Sequence, residues 1–186
     1  MFNKVQTINN NKKMKKTILF LFSISFFIAC ESGVKIDPSP MGGTISQGDE
    51  KTAIVEKLAA AYRAGTFELA KEYFTTDGKH YFNNIEYTVN ETIDGYNFHS
   101  VLYDNIEHVN PTVTTMYYNN GEIYTNQWSD WSGKSKITGD IMETTFHCWW
   151  QWEGDKIVST KCYMDPKELM AEAGLYQEKM ASADSN

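Results

Sequence analysis

The chain has 186 residues, 41% hydrophobic and 14% aromatic, with 24 Asp plus Glu against 17 Lys plus Arg and a net charge of −7. Five lysines (Lys4, Lys12, Lys13, Lys15 and Lys16) crowd the N-terminus, so the chain beyond residue 29 carries 12 basic against 24 acidic side chains, a net charge of −12. That balance repels phosphate backbones, no basic stripe follows residue 30, and nucleic acid is accordingly not expected as a partner.

The basic leader runs into a short apolar stretch, Ile18 to Ala29, below the roughly 20 residues that a spanning helix needs. Cys30 follows Phe27-Ile28-Ala29 directly. This layout resembles a bacterial lipoprotein signal, with Phe27 in place of the more usual leucine. The resemblance implies removal of residues 1–29 and lipidation of Cys30. Acyl chains would then hold the protein to a membrane of the bacterial cell envelope, the outer membrane being the expected one, facing the periplasm or the outside. The plainer alternative is ordinary secretion with a stray cysteine. Residues 30–49 are rich in Gly, Pro and Ser, show no apolar period, and read as a flexible tether. Residues 50–176 are the size of one domain with a real core, and 177–186 form a polar tail expected to fray.

The domain opens with helical patterning. "DEKTAIVEKLAAAYRAG" sets Ile54, Leu58, Ala61 and Tyr62 on one stripe and stops at Gly65. Thr66 is placed to cap a second helix, "FELAKEYF", ending at Asp77-Gly78. An extended piece, "KHYFNNIEYTV", leads to a third helix capped by Asn90 and running to about Tyr103, with Ile93, Tyr96, Val101 and Leu102 inward.

From Ile106 to Asp165 the sequence is dense in β-branched and aromatic residues, cut by "NNG" at 119–121, "SGKS" at 132–135 and "EGDK" at 153–156. Three turns predict four successive, antiparallel strands, and helices followed by a meander argue for an α+β domain. In the last hairpin, pairing Trp152 with Val158 puts Trp150 with Thr160, Cys148 with Cys162 and Phe146 with Met164 on one face. His147, Trp149, Gln151, Ser159, Lys161 and Tyr163 then fall on the other, and a one-residue slip would mix the apolar and polar sets. The first set is expected to face the helices. Cys148 and Cys162 would sit opposite one another in an oxidising compartment, which leaves two options, a cross-strand disulfide or two small buried thiols. No ligand set for a metal is spaced in the sequence, and no cofactor is implied. Trp128 and Trp131 in "QWSDWSG" are three apart, so one faces in and the other out.

The amphipathic "IVEKLAAAYRAG", the "SGKSKITGD" segment between two strands, and the ending "HCWWQWEGDKIVSTKCYMDP" together resemble the SnoaL-like branch of the nuclear transport factor 2-like superfamily. The expected turn of the Asp-Gly-Lys-Ile sort reads here Gly154-Asp155-Lys156-Ile157, with its first two residues exchanged. The resemblance, over residues 51–174, implies a cone in which N-terminal helices pack on the concave face of a strongly curved antiparallel sheet. It also implies a cavity between helices and sheet, and dimers through the convex face, where Trp149 and Tyr163 are candidates.

Enzymes of this superfamily place a catalytic carboxylate on the inner face of the strand before the final turn, where this chain has Cys148 and Trp150; Gln151 points outward. The catalytic residues are therefore left unassigned. His80, His99, Asp94 and Asp165 are titratable alternatives, each with a plainer structural role, such as a first-turn helix acid for Asp94 or a cap for Asp165. Tyr62, Tyr81, Tyr117 and Tyr124 are possible hydrogen-bond donors into the cavity. Pocket candidates are Tyr62, Tyr81, His99, Tyr117, Trp128, Cys148, Trp150 and Trp152. Three functions stay open. An aromatic-walled pocket suits a small, partly apolar molecule. The same pocket could serve an isomerase, cyclase or hydrolase. Alternatively the aromatic bulk fills the cone and the sheet face serves a dimer or a partner protein.

Overall fold

A computed structural model describes residues 38–183. The leader and Cys30 lie outside the described residues.

The elements in chain order are β1 (Gly43–Ser46), α1 (Glu50–Arg63), a 3-10 helix (Phe67–Glu72), β2 (Phe74–Phe82), β3 (Ile85–Tyr87), α2 (Val89–Leu102), β4 (Tyr103–Tyr118), β5 (Ile123–Ser135), β6 (Ile141–Glu153), β7 (Lys156–Met164) and α3 (Lys167–Ala183). All seven strands form one sheet in the order β1-β4-β5-β6-β7-β2-β3. Every pairing is antiparallel except β2 on β7, which is parallel, so the expected antiparallel sheet is a mixed one. The fold is nonetheless the expected α+β arrangement. Helices α1 and α2 pack on the inner face around a core of Val55, Leu58, Phe67, Ile93, Leu102, Trp131, Phe146, Trp150 and Ile157.

Local signals explain most boundaries. Asp49 caps α1 by accepting from the Thr52 amide. The helix stops where Gly65 turns to φ 68°, with Gly65 N–H donating to Tyr62 and Thr66 N–H donating to Ala61, the paired bonds of a Schellman ending. Thr66 is consumed in that ending and caps no further helix. The amide of Phe67 is instead satisfied by Asn97 Oδ1 of α2, at 2.9 Å. The expected second helix is therefore only a 3-10 segment, and Phe74 already begins a strand that runs through Asp77-Gly78. Helix α2 is capped by Thr88, not Asn90, through a capping box with Glu91. Val101, expected inward, is exposed.

Strand β4 is bent by two register irregularities, between Asp104 and Glu107 and between Val109 and Thr112. Asn105 and Asn110 take positive φ there, a conformation asparagine tolerates better than most residues. Strand β5 continues through the "SGKS" segment, and the turn falls later, at 136–140. Gly133 makes this continuation possible: a Cβ on it would stand 2.4 Å from the Trp131 ring, which lies across it.

The last hairpin has the expected sidedness, with Phe146, Cys148, Trp150 and Trp152 buried and Tyr163 exposed. Cys148 pairs with Cys162, Trp150 with Thr160, and Phe146 with Met164. The register departs only at the tip. A two-residue loop with Gly154 at positive φ pairs Glu153 with Lys156, so Trp152 faces Ile157, and an irregularity after Gln151 absorbs Val158 and restores parity. Cys148 and Cys162 form a disulfide.

Both ends depart from the sequence expectation. Gly43–Ser46, placed in the tether, pairs as β1 with β4. The expected fraying tail continues as α3 to Ala183, held by Ser135 Oγ donating to the buried carboxylate of Glu172 at 2.6 Å and by Tyr176 packed edge-on to Phe98. Among the described residues no helix is long and apolar enough to cross a membrane.

Candidate functional site

Two spaces open between the helices and the sheet. An inner cavity of about 50 Å³ has an almost wholly apolar wall that includes Phe67, Phe82, Phe146, Trp150 and the Cys148–Cys162 bridge. This is room for water or a ligand's tip, not for a whole ligand. Beside it a groove of about 520 Å³ runs between α2, the β2–β3 hairpin and the start of α3, a size suited to a small organic ligand. Phe82, Tyr96 and His99 line both spaces and form the partition between them.

The polar groups of the inner cavity are few and uncharged. Its stripe on α1 contributes Tyr62, buried at the centre of a ring of aromatic contacts with Phe67, Tyr96, His99 and His108. Trp131 donates its indole N–H to Tyr62 Oη at 2.7 Å, and Tyr62 Oη lies 2.8 Å from His99 Nδ1. Gln127 Nε2 stands 3.1 Å from His108 Nδ1. Tyr96 donates to Cys162 Sγ at 3.0 Å. The indole N–H of Trp150 is buried without a partner.

Burial sets the protonation of these groups. It lowers His99 to about 4. His108 also falls to about 4, from burial first and the nearby Arg63 charge second. Burial pushes the hydroxyls of Tyr62 and Tyr96 well above the ordinary phenol range. At neutral pH His99 and His108 are thus neutral imidazoles, and Tyr62 and Tyr96 neutral phenols. No Asp or Glu lines the inner cavity.

The sequence candidates separate into three groups. Tyr62, His99, Cys148 and Trp150 come together in the inner cavity, while Tyr81 lines only the groove and spends its hydroxyl on Glu86 at 2.7 Å. Trp152 faces inward but lies beyond the cavity, donating to Thr125 Oγ1 at 2.9 Å under the Lys51 ammonium. Tyr117, Tyr124 and Trp128 line neither space; Trp128 is on the outer face, stacked on His147. Of the titratable alternatives, His80 is buried against Phe74 outside both spaces, Asp94 is exposed on α2, and Asp165 caps α3 by accepting from the Lys167 amide. Tyr96, His108, Gln127 and Trp131 are the site residues that sequence reasoning left out. Among the described residues no cluster of His, Cys, Asp or Glu is arranged to hold a metal ion.

No family model matches the sequence. No curated protein matches it either. Solved structures do. A proposed polyketide cyclase from Xanthomonas campestris pv. campestris covers 65% of this chain and 94% of its own length, at 12% identity and a TM-score of 0.53. One from Pseudomonas putida covers 67% and 98%, at 13% identity and 0.53. AclR, a proposed hydroxylase from Streptomyces galilaeus, covers 67% and 96%, at 12% identity and 0.52. At such identities the likeness speaks to architecture, and with the helix-covered curved sheet described above it gives this chain the SnoaL-like, nuclear transport factor 2-like fold.

Proposed function

We propose that this is a lipid-anchored cell-envelope protein whose nuclear transport factor 2-like domain binds a small, partly apolar molecule. The carrying observation is the ligand-sized groove, which meets the uncharged inner cavity at Phe82, Tyr96 and His99. A flat apolar body fits among Phe82, Ile85, Phe98 and Leu102, and the buried hydrogen-bonding groups behind the partition give it something polar to address. The anchor rests on the leader sequence and Cys30 alone. A homodimer through the convex face rests on the exposed Trp128 and Tyr163 and the half-buried Trp149.

Native mass spectrometry of the mature domain, purified from its own cells, should show a non-covalent small-molecule adduct that is lost on denaturation. A bare mass, together with no thermal stabilisation by any member of a panel of bicyclic compounds, would overturn the reading. Replacing Cys30 by Ser should move the protein from the membrane to the soluble fraction; unchanged partition would remove the anchor.

A second reading is an isomerase, cyclase or hydrolase acting on such a molecule. Structural neighbours proposed to be polyketide cyclases support it, as do two cavity imidazoles whose Nε2 atoms bond no described residue. Its chemistry would fall to His99 and His108, and His99→Ala and His108→Ala should then each abolish turnover of a compound that still binds.

A further inference from the structure

The protons around Tyr62 are fixed by its neighbours. An indole N–H only donates, so Trp131 at 2.7 Å makes Tyr62 Oη an acceptor. Tyr62 has one hydrogen of its own, and its other partner is His99 Nδ1 at 2.8 Å. If His99 carried its proton on Nδ1, the Tyr62 oxygen would accept twice and a buried O–H would be left without an acceptor, a cost of about 1–3 kcal/mol. The satisfied arrangement has Trp131 donating to Tyr62, Tyr62 donating to His99 Nδ1, and the imidazole proton on Nε2. That N–H bonds no described residue. Tyr62 lines the inner cavity and not the groove, whereas His99 lines both, so the ring edge left over belongs to the groove side.

Of the other polar side chains of the groove, Asn84 and Tyr87 make no side-chain hydrogen bond to a described residue, but unlike His99 they do not reach the partition with the inner cavity, and others are spent. Asn83 exchanges both its amide groups with the Met164 backbone. Tyr96 donates to Cys162, and Tyr81 to Glu86. Glu91, the carboxylate in the groove wall, already accepts from the Thr88 amide and hydroxyl in its capping box. Thr92 Oγ1 is buried without a partner.

Resting on the small-molecule reading, we propose that the Nε2–H of His99 is the specificity-determining donor at the inner end of the groove, beside the partition, that it selects a flat, neutral ligand carrying a carbonyl-type oxygen there, and that Tyr62 and Trp131 are the positioning residues that hold this tautomer. The same arrangement disfavours amine cations, which bring a donor to a donor there and would lose hydration against the apolar groove wall.

Three probes of one shape separate the terms: 1-tetralone, tetralin and 1-aminotetralin, titrated into the mature domain by calorimetry. The ketone should bind about tenfold tighter than the hydrocarbon, the value of one buried hydrogen bond, and the amine more weakly than either. In the Tyr62→Phe variant the ketone preference should shrink to about threefold or less while tetralin binding holds. Long-range proton–nitrogen spectra of the unliganded wild type should show His99 protonated on Nε2, and of Tyr62→Phe a mixture of tautomers. Equal binding of ketone and hydrocarbon, a preference for the amine, or wild-type His99 protonated on Nδ1 would overturn the assignment and leave the broader binding reading in place. Failure of all three probes to bind would overturn it as well, and an adduct-free native mass spectrum alongside would remove the broader reading with it.

Discussion

Thr115 is a hub in the wall away from the cavity. Its hydroxyl meets Thr52 at 3.0 Å and Thr125 at 2.9 Å, and donates to Asp49 at 3.2 Å, while Trp152 closes the chain on Thr125. The hydrogens run one way, from indole through the Thr125 and Thr115 hydroxyls to the carboxylate, with Thr52 donating to Thr115 from the side. Partial burial raises that carboxyl, but the bonds it accepts outweigh burial and hold it below the ordinary aspartate range. Thr115→Val keeps the shape but strips the shared oxygen from Thr52 and Thr125, and should cost about 2 kcal/mol in urea unfolding. Gly133→Ala, forced against the Trp131 ring, should cost about 1–3 kcal/mol by the same measurement. Where helical spacing decides, sequence reading places a side chain well: Tyr62 is on the buried face of α1. Trp152 lies apart from the cavity because a shared face is not a shared cavity: even two residues past Trp150 along a strand is about 7 Å. Sequence reading passed over His108 because the irregularities of β4 shift the in-out alternation on either side of it, and nothing in "NIEHVNPTV" marks their number.

At the scale of elements, the final hairpin is stapled at its middle. Cys148 and Cys162 are 14 residues apart, and closing a loop of that order in the unfolded chain corresponds to about 3 kcal/mol. The double change Cys148→Ser, Cys162→Ser should lower the urea midpoint accordingly, and reduction of the wild type should match it. The four long strands were legible because β-branched and aromatic residues alternate across them. The first strand was not, since "GTIS" is four residues inside a Gly-rich run and becomes a strand only by finding β4. Helix α3 was hidden by Gly174, which reads as a stop. The helix passes through it, and Glu172 is buried against Ser135 only because the sheet brings that serine there.

For the molecule as a whole, acid is the revealing stress. His80, His99 and His108 each sit at about 4 when folded against an ordinary 6.5, burial being the main cause in all three. Between those values the unfolded chain binds protons that the native one refuses, so stability is complete above about pH 6.5 and falls as pH drops toward 4. Each of these histidines contributes up to about 1.4 kcal/mol per pH unit across that window, since one proton separates its native and unfolded forms. Thermal unfolding from pH 7 to 4 should show a steep loss, visibly flattened in His80→Asn; a flat wild-type profile would contradict the buried neutral state. The bent sheet and its helical cover were legible from the order of patterns along the chain, whereas the seating of β2 was not, because a parallel partner about 80 residues away leaves no local signature.

That seating bears on how the chain is made. Strand β2 borders β7, so a polypeptide emerging from a ribosome must wait for Lys156–Met164 before this early segment can dock. Closure over such sequence distances is slow. A nascent chain arrested before Lys156 would therefore expose Phe74 and His80 to chaperones and proteases, and folding of this edge would be held off until Lys156–Met164 has emerged.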